Sequence, residues 1–266
     1  MPLGPIVWPR LSFLQTQMTF LHSHSTLAAK AAVAIRRIEG RLLLAALSVS
    51  GAVWAFAGLW DAVEDQHTGG FDRAILLAFR VPGHPETPAG PRWLQECARD
   101  VTALGGFTVL ALISLVAVAT LAMKRRRLQA RIFAATVVLG QVLAEAIKLI
   151  AGRPRPDIVT RFDIVYSSSF PSGHSTMAPV VYLTLAVILA AGEQRRDVRA
   201  LIFACAVAVT IAVGISRVYL GVHWPTDVLA GWVLGAAIAL VAMTGLRLTA
   251  RKLHRGGAVV AVKPAA

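Results

Sequence analysis

Charge is scarce in this sequence: Asp, Glu, Lys and Arg make up 15% of its 266 residues, against about 25% in an ordinary soluble domain. With 56% of the residues hydrophobic, the soluble globular class is excluded. Disorder is excluded as well, because polar and Pro-rich stretches are confined to the ends and to short loops. Acidic residues are the rarer sign, 14 against 27 Lys and Arg. A net charge of +13 can indicate nucleic-acid binding. Here the apolar content assigns it instead to orienting helices in a membrane, and no nucleic-acid partner is expected. Only two cysteines occur, Cys97 and Cys205, in segments of different kind. That rules out a disulfide framework and a cysteine-based zinc site. Internal repeats and low-complexity segments are absent. A leader peptide is not expected either, since the start is not basic and Pro2, Pro5 and Pro9 interrupt its apolar run. Residues 1–41 read as a cytoplasmic arm, with His22 and His24 solvated.

What is present is a series of six apolar runs: Leu42–Trp60, Gly105–Met123, Ile132–Ile150, Met177–Ala191, Ala200–Ile215 and Val228–Leu246. Four of them have the length of a bilayer-crossing helix at ~1.5 Å per residue. The fourth and fifth are short and are expected to extend, from about Ser172 and to about Val218. The expected fold is therefore all-α: a polytopic bundle of six transmembrane helices over residues 42–246, with a basic cytoplasmic tail at 247–266. The charges give its sidedness. With the N-terminus inside, 18 of the 27 cations fall on inner segments and nine on outer ones. This bias places both termini in the cytoplasm of a plasma (inner) membrane protein. The outer loop 61–104 holds two helix-like segments, Phe71–Arg80 and Trp93–Leu104, around the turn-rich Val81–Pro91. They are expected to lie on the membrane surface. Trp60 and Trp224 fit an outer aromatic belt, and His67, His84 and His254 fit the protein surface.

Three motifs fall at the outer ends of these runs. The third run ends in Lys148-Leu-Ile-Ala-Gly-Arg-Pro-Arg155-Pro156. Pro171-Ser172-Gly173-His174 precedes the fourth. Ser216-Arg217 closes the fifth, and His223-Trp-Pro-Thr-Asp227 opens the sixth. Three cations, two histidines and an aspartate can thus share one interfacial pocket. Lys148, Arg155 and Arg217 suit a phosphoryl group, Arg by bidentate contact and Lys as a point charge. Ser172 and Gly173 open a helix whose free N–H groups favour an anion. Asp227, four residues after His223, can fix the ring's tautomer and leave its other nitrogen nucleophilic. His174 is then available as general acid and base. A divalent metal is disfavoured because the same three cations would repel it, so no cofactor is expected. Glu145 stands one turn before Lys148 and can pair with it. Arg153 is expected at the rim of the pocket.

The order Lys-x6-Arg-Pro, Pro-Ser-Gly-His, Ser-Arg-x5-His-x3-Asp resembles the type 2 phosphatidic acid phosphatase superfamily, including its phosphatidylglycerophosphatase B-like and undecaprenyl pyrophosphate phosphatase-like members. The resemblance runs directly over Lys148–Asp227. It implies metal-independent hydrolysis of a lipid phosphomonoester or pyrophosphate through a phosphohistidine. It also implies His223 as nucleophile, His174 as acid and base, Asp227 as orienter, and Lys148, Arg155, Arg217, Ser172 and Gly173 as phosphate ligands. The expected partners are a membrane lipid phosphate and the bilayer. Undecaprenyl pyrophosphate is the first choice by this analogy, then phosphatidylglycerophosphate or phosphatidic acid. A lipid phosphotransferase using the same intermediate and a membrane transporter remain as alternatives. A vanadate-dependent haloperoxidase, with a related site, is disfavoured because those enzymes resemble larger soluble proteins.

Overall fold

The computed structural model describes residue 40 and residues 42–163 and 167–260. The chain divides into two compact units, Met1–Leu47 and Ser48–Ala266. The expected arm at 1–41, with His22 and His24, falls outside the described residues but for Gly40. The helices are α1 Leu42–Glu64, α2 Gly69–Ala78, α3 Arg92–Ala103, α4 Phe107–Met123, α5 Arg127–Ala151, α6 Gly173–Ala190, α7 Arg196–Tyr219 and α8 Pro225–Val260. A two-stranded antiparallel hairpin, β1 Arg80–Val81 and β2 His84–Pro88, separates α2 from α3.

Among the described residues, five helices are long and apolar enough to cross a bilayer, and α3 with α4 form a sixth candidate, bent by 44°. Helices satisfy their own backbone groups, which is what a bilayer interior demands. The bend falls at Leu104-Gly105-Gly106, where the Tyr182 hydroxyl donates to the freed Leu104 carbonyl at 2.8 Å. The two short runs do extend as expected: α6 begins at Gly173 and α7 reaches Tyr219. α8 continues as helix past Leu246 to Val260, so the start of the basic tail is helical.

Each helix end that bears a motif has a local cause. α5 stops at Gly152, which adopts the left-handed conformation (φ +57°), and Pro154 and Pro156 prevent the helix from resuming. Ser172 caps α6 by accepting from the Ser175 N–H. Pro225 opens α8, where a missing N–H costs nothing. The backbone N–H of Ser172 donates to the Asp227 carbonyl at 3.0 Å, tying the starts of α6 and α8 together.

α6 is the most buried span and packs against α4, α5, α7 and α8. Its approach to α8 is backbone-close: a Cβ on Gly235 would fall 2.2 Å from the Thr176 carbonyl oxygen. Leu110, Phe133, Met177, Val180, Val181 and Ile188 form the core of the bundle. Large apolar side chains such as Trp54, Leu115, Met123, Leu139 and Leu149 point outward, as a protein solvated by lipid requires.

The outer region holds the two helices expected, at nearly the expected bounds. α2 packs on α8 and α3 on α7, and the intervening segment forms a hairpin in place of a plain turn. Tyr219 at the end of α7 anchors it. Its carbonyl accepts from Arg80 at 2.9 Å, its hydroxyl donates to the Ala89 carbonyl at 3.0 Å, and its ring meets Phe79 edge-on at 6.0 Å.

Candidate active site

All four motif-bearing helix ends meet at one end of the bundle. A cavity of about 380 Å³ is lined there by Lys148, Arg155, Ser167, Gly173, His174 and His223. Its other walls come chiefly from α4 and α5 and are mostly apolar, among them Phe107, Leu110, Val137, Val138 and Val142, with Gln141 and Glu145 as polar members. One chamber thus joins cationic and imidazole groups to a hydrocarbon surface.

His223 lies in the α7–α8 connection and is buried. Its Nδ1 faces Asp227 Oδ2 at 3.4 Å, and its Nε2 accepts from Arg155 Nη1 at 3.1 Å. The second contact needs a lone pair on Nε2, so the neutral ring carries its proton on Nδ1, toward the carboxylate. Burial is the main cause that lowers the His223 pKa to about 4; the Asp227 carboxylate opposes it, and Arg217 and Arg155 reinforce it. At neutral pH the ring is therefore uncharged and can act as a nucleophile. Asp227 is wholly buried and is held by the Ser169 hydroxyl, by the Trp224 N–H at 2.9 Å and by Arg153 Nη1 at 2.5 Å.

The cations take different stations. Arg155 is held in place by carbonyls, donating to Ser167 O at 2.9 Å and Val222 O at 2.7 Å. Burial first and Arg217 second lower its pKa to about 10, and it remains cationic at neutral pH. Lys148 projects from the last turn of α5 and is buried beside Glu145, 3.7 Å away, as its spacing implied. Its ammonium approaches the start of α6 so closely that a Cβ on Gly173 would lie 3.0 Å from Nζ. A larger residue there would push the ammonium from its present place. Arg217 is completely buried at the end of α7. Its Nη1 donates to Asp163 at 2.8 Å and to Thr102 at 3.1 Å, while Nε and Nη2 bond to nothing among the described residues. His174 stands in the first turn of α6 against Gly105, at the bend between α3 and α4.

Two candidates are placed differently from the others. The Ser172 hydroxyl is spent on the α6 cap, accepting also from Ser175 Oγ at 2.9 Å, and Gly173 forms the cavity wall. Arg153 is not at the rim. Its side chain is only 13% exposed and sits behind Asp227, bonded to Asp72 and Thr226 as well. The Arg153 guanidinium lies over the Trp224 ring, 5.7 Å from the ring centroid, and the Trp224 indole donates to the Pro154 carbonyl. Sequence reasoning overlooked Asp72, Asp163, Ser169 and Thr226. Asp72 gave one signal, a lone acid inside an apolar helix turn, but its partners are 81 and 154 residues away.

Cys97 and Cys205 are free thiols. His67 and His84 are exposed, and His254 falls where only the backbone is described.

Six-span architecture, buried cations around a neutral histidine and an apolar entry wall define an integral membrane protein that handles a phosphoryl group on a lipid. Residues 129–249, α5 to α8, match the model of the PAP2 superfamily. Phosphatidylglycerophosphatase B of Bacillus subtilis is 35% identical over 150 residues, covering 54% of this chain and 70% of that protein. Decaprenylphosphoryl-5-phosphoribose phosphatase of Mycobacterium tuberculosis is 32% identical over 152 residues, covering 55% and 76%. The crystal structure of a transmembrane PAP2 type phosphatidylglycerolphosphate phosphatase from Bacillus subtilis aligns with a TM-score of 0.69 at 27% identity, over 76% of this chain and 96% of that one. This chain belongs to the PAP2 superfamily and is a membrane phosphatase.

Proposed function

We propose that the protein hydrolyses a phosphoryl group from a membrane lipid through a phosphohistidine on His223, without a metal ion. One observation carries the reading: His223 Nε2 faces the cavity with its lone pair, 3.1 Å from Arg155, while Nδ1 faces a buried carboxylate. In the first step Nε2 attacks phosphorus. The bond from phosphorus to the lipid oxygen breaks, and His174 gives that oxygen its proton. The phosphorylated ring is now positive, and Asp227 stabilises it. In the second step water attacks phosphorus, its proton passes to His174, and the P–N electrons return to Nε2. Lys148 and Arg155, which line the cavity, and Arg217, buried outside that lining, stabilise the charge on the phosphoryl oxygens throughout, with the role that metal ions hold in many phosphatases.

The apolar walls between α4 and α5 suit a lipid tail that stays in the bilayer while the headgroup enters. A relative and a solved structure both carry the name of a phosphatidylglycerophosphate phosphatase. This moves that lipid ahead of undecaprenyl pyrophosphate as the first substrate to test, with phosphatidic acid third. The charge asymmetry supports a chain with both termini in the cytoplasm of a plasma (inner) membrane and the catalytic end outside.

The test is phosphate release by detergent-purified protein from these three lipids, with excess chelator, beside His223→Ala. Release that survives chelation and disappears in the variant is expected. Release lost on chelation removes the metal-free mechanism, and release unchanged in His223→Ala removes the nucleophile. For sidedness, Cys97 is exposed on α3, toward the catalytic end. In intact cells a membrane-impermeant maleimide should label it; labelling only after lysis would reverse the topology.

A further inference from the structure

The structure assigns Asp72 the role of a positioning residue that keeps Asp227 available to His223. This inference rests on the proposed function of His223. Asp72 belongs to the outer helix α2, outside the segment that matches the superfamily. It is completely buried, and its side chain bonds to Thr226 at the start of α8 and to Arg153 in the α5–α6 connection. Oδ1 accepts the Thr226 N–H at 2.9 Å, one of the free donors at the start of α8. Oδ2 accepts the Thr226 hydroxyl at 2.8 Å and Arg153 Nη2 at 2.7 Å. Arg153 Nη1 then bonds Asp227 Oδ1, and Asp227 Oδ2 faces His223 Nδ1. Four side chains form one continuous line: Asp72, Arg153, Asp227, His223.

The charges along that line explain why the fourth member from the ring matters. With Asp227 and Arg153 alone, the guanidinium would cancel the carboxylate, and nothing would be left to offset a positive imidazole. With Asp72 added, one cation is shared between two anions and a net charge of about −1 remains beside the ring. When His223 takes the phosphoryl group its ring becomes positive, and the line becomes neutral. Arg153 holds Asp227 in position, and Asp72 keeps that hold from neutralising it. In a buried setting such interactions are weakly screened.

Asp72→Asn removes the charge while keeping the side chain's shape and an acceptor for the Thr226 N–H. Its effect is read on phosphate release from phosphatidylglycerophosphate in detergent micelles. We expect kcat to fall about 10–100-fold, as loss of outer partners of a functional histidine typically gives, with KM within about twofold because no substrate contact is touched. The double variant Asp72→Asn with Arg153→Met removes the shared cation as well, leaving Asp227 held by the Ser169 hydroxyl and the Trp224 N–H and restoring a net charge of about −1 beside the ring. Its kcat should be no lower than that of Asp72→Asn alone. Members of one network are non-additive, whereas two independent structural losses multiply. Should Asp72→Asn alone fail to fold, the double variant against Arg153→Met carries the same comparison. A kcat within twofold of wild type, a loss confined to KM, or multiplying losses overturns the assignment. His223→Ala separates the two failures. If it is inactive while Asp72→Asn is near wild type, only the role of Asp72 falls. If it keeps wild-type release, the underlying reading of the site falls and Asp72 goes with it.

Discussion

The two halves of this chain contribute to one chamber by different means. From α5 to α8 the sequence supplies the groups that reach the cavity: Lys148, Arg155, Gly173, His174 and His223. From α1 to α4 it supplies apolar walls and, in α2 and α3, buried polar groups that never reach it: Asp72 behind Arg153, and Thr102 behind Arg217. On the proposed function, the α5–α8 half presents charge to the phosphoryl group, and the α1–α4 half aims and restrains that charge. A site of buried cations needs both, because a guanidinium withdrawn from water must have its remaining donors satisfied by something. The superfamily model matches 129–249, in the presenting half, while the solved PAP2 structure aligns with 76% of the chain.

The strongest way to break this contrast is to remove a cation from the presenting half. Lys148→Met keeps the length of the buried side chain and deletes only its charge and donors. Loss of one preorganised donor from a buried site typically costs ~10²–10³ in rate. We expect kcat/KM for phosphate release to fall by about that factor with the protein still folded, since Glu145, its ion-pair partner, is half-exposed and can be hydrated. A loss below about tenfold would show that Lys148 serves the α5 terminus and not the substrate.

The same division explains what could be read from the sequence. Residues of the presenting half announced themselves because a membrane makes ionisable groups expensive: Lys148, Arg217 and His223 stand against apolar runs, and their spacing fixes which helix ends they share. The ends of α6 and α7 followed from the same logic, since the capping Ser172 and the tyrosine after Arg217 fall beyond the purely apolar windows. Residues of the restraining half lacked such a signal. The Asp72–Arg153 contact joins positions 81 apart, and nothing in either local pattern names the other. Arg153 illustrates the limit. Its place in an Arg-Pro-Arg-Pro run showed that it lies near the pocket, but the direction of its side chain is set by a carboxylate on α2. The hairpin was missed for a related reason: β1 and β2 are too short and polar for a strand pattern, and pairing with each other, plus Arg80 anchored on Tyr219, holds them.

The sharpest test of the restraining half lies at its weakest contact. Thr102, in the last turn of α3, accepts from Arg217 Nη1 at 3.1 Å, while the same nitrogen donates to Asp163 at 2.8 Å. Thr102→Val deletes the hydroxyl and keeps the branched shape, so packing against α7 is preserved. A hydrogen bond to a charged group is worth about 1.5–3 kcal/mol. Because Asp163 still satisfies this nitrogen, the cost falls below that range, and about 1 kcal/mol is expected. In rate terms that is about fivefold, smaller than the effect at Lys148 and no larger than that at Asp72. It should appear in kcat/KM, through a guanidinium less firmly aimed, and as a fall of about 2–4 °C in the melting temperature in detergent. A fall in melting temperature with unchanged kcat/KM would mean that α3 stabilises the bundle without aiming Arg217, and the role of the outer region would then rest on α2 alone.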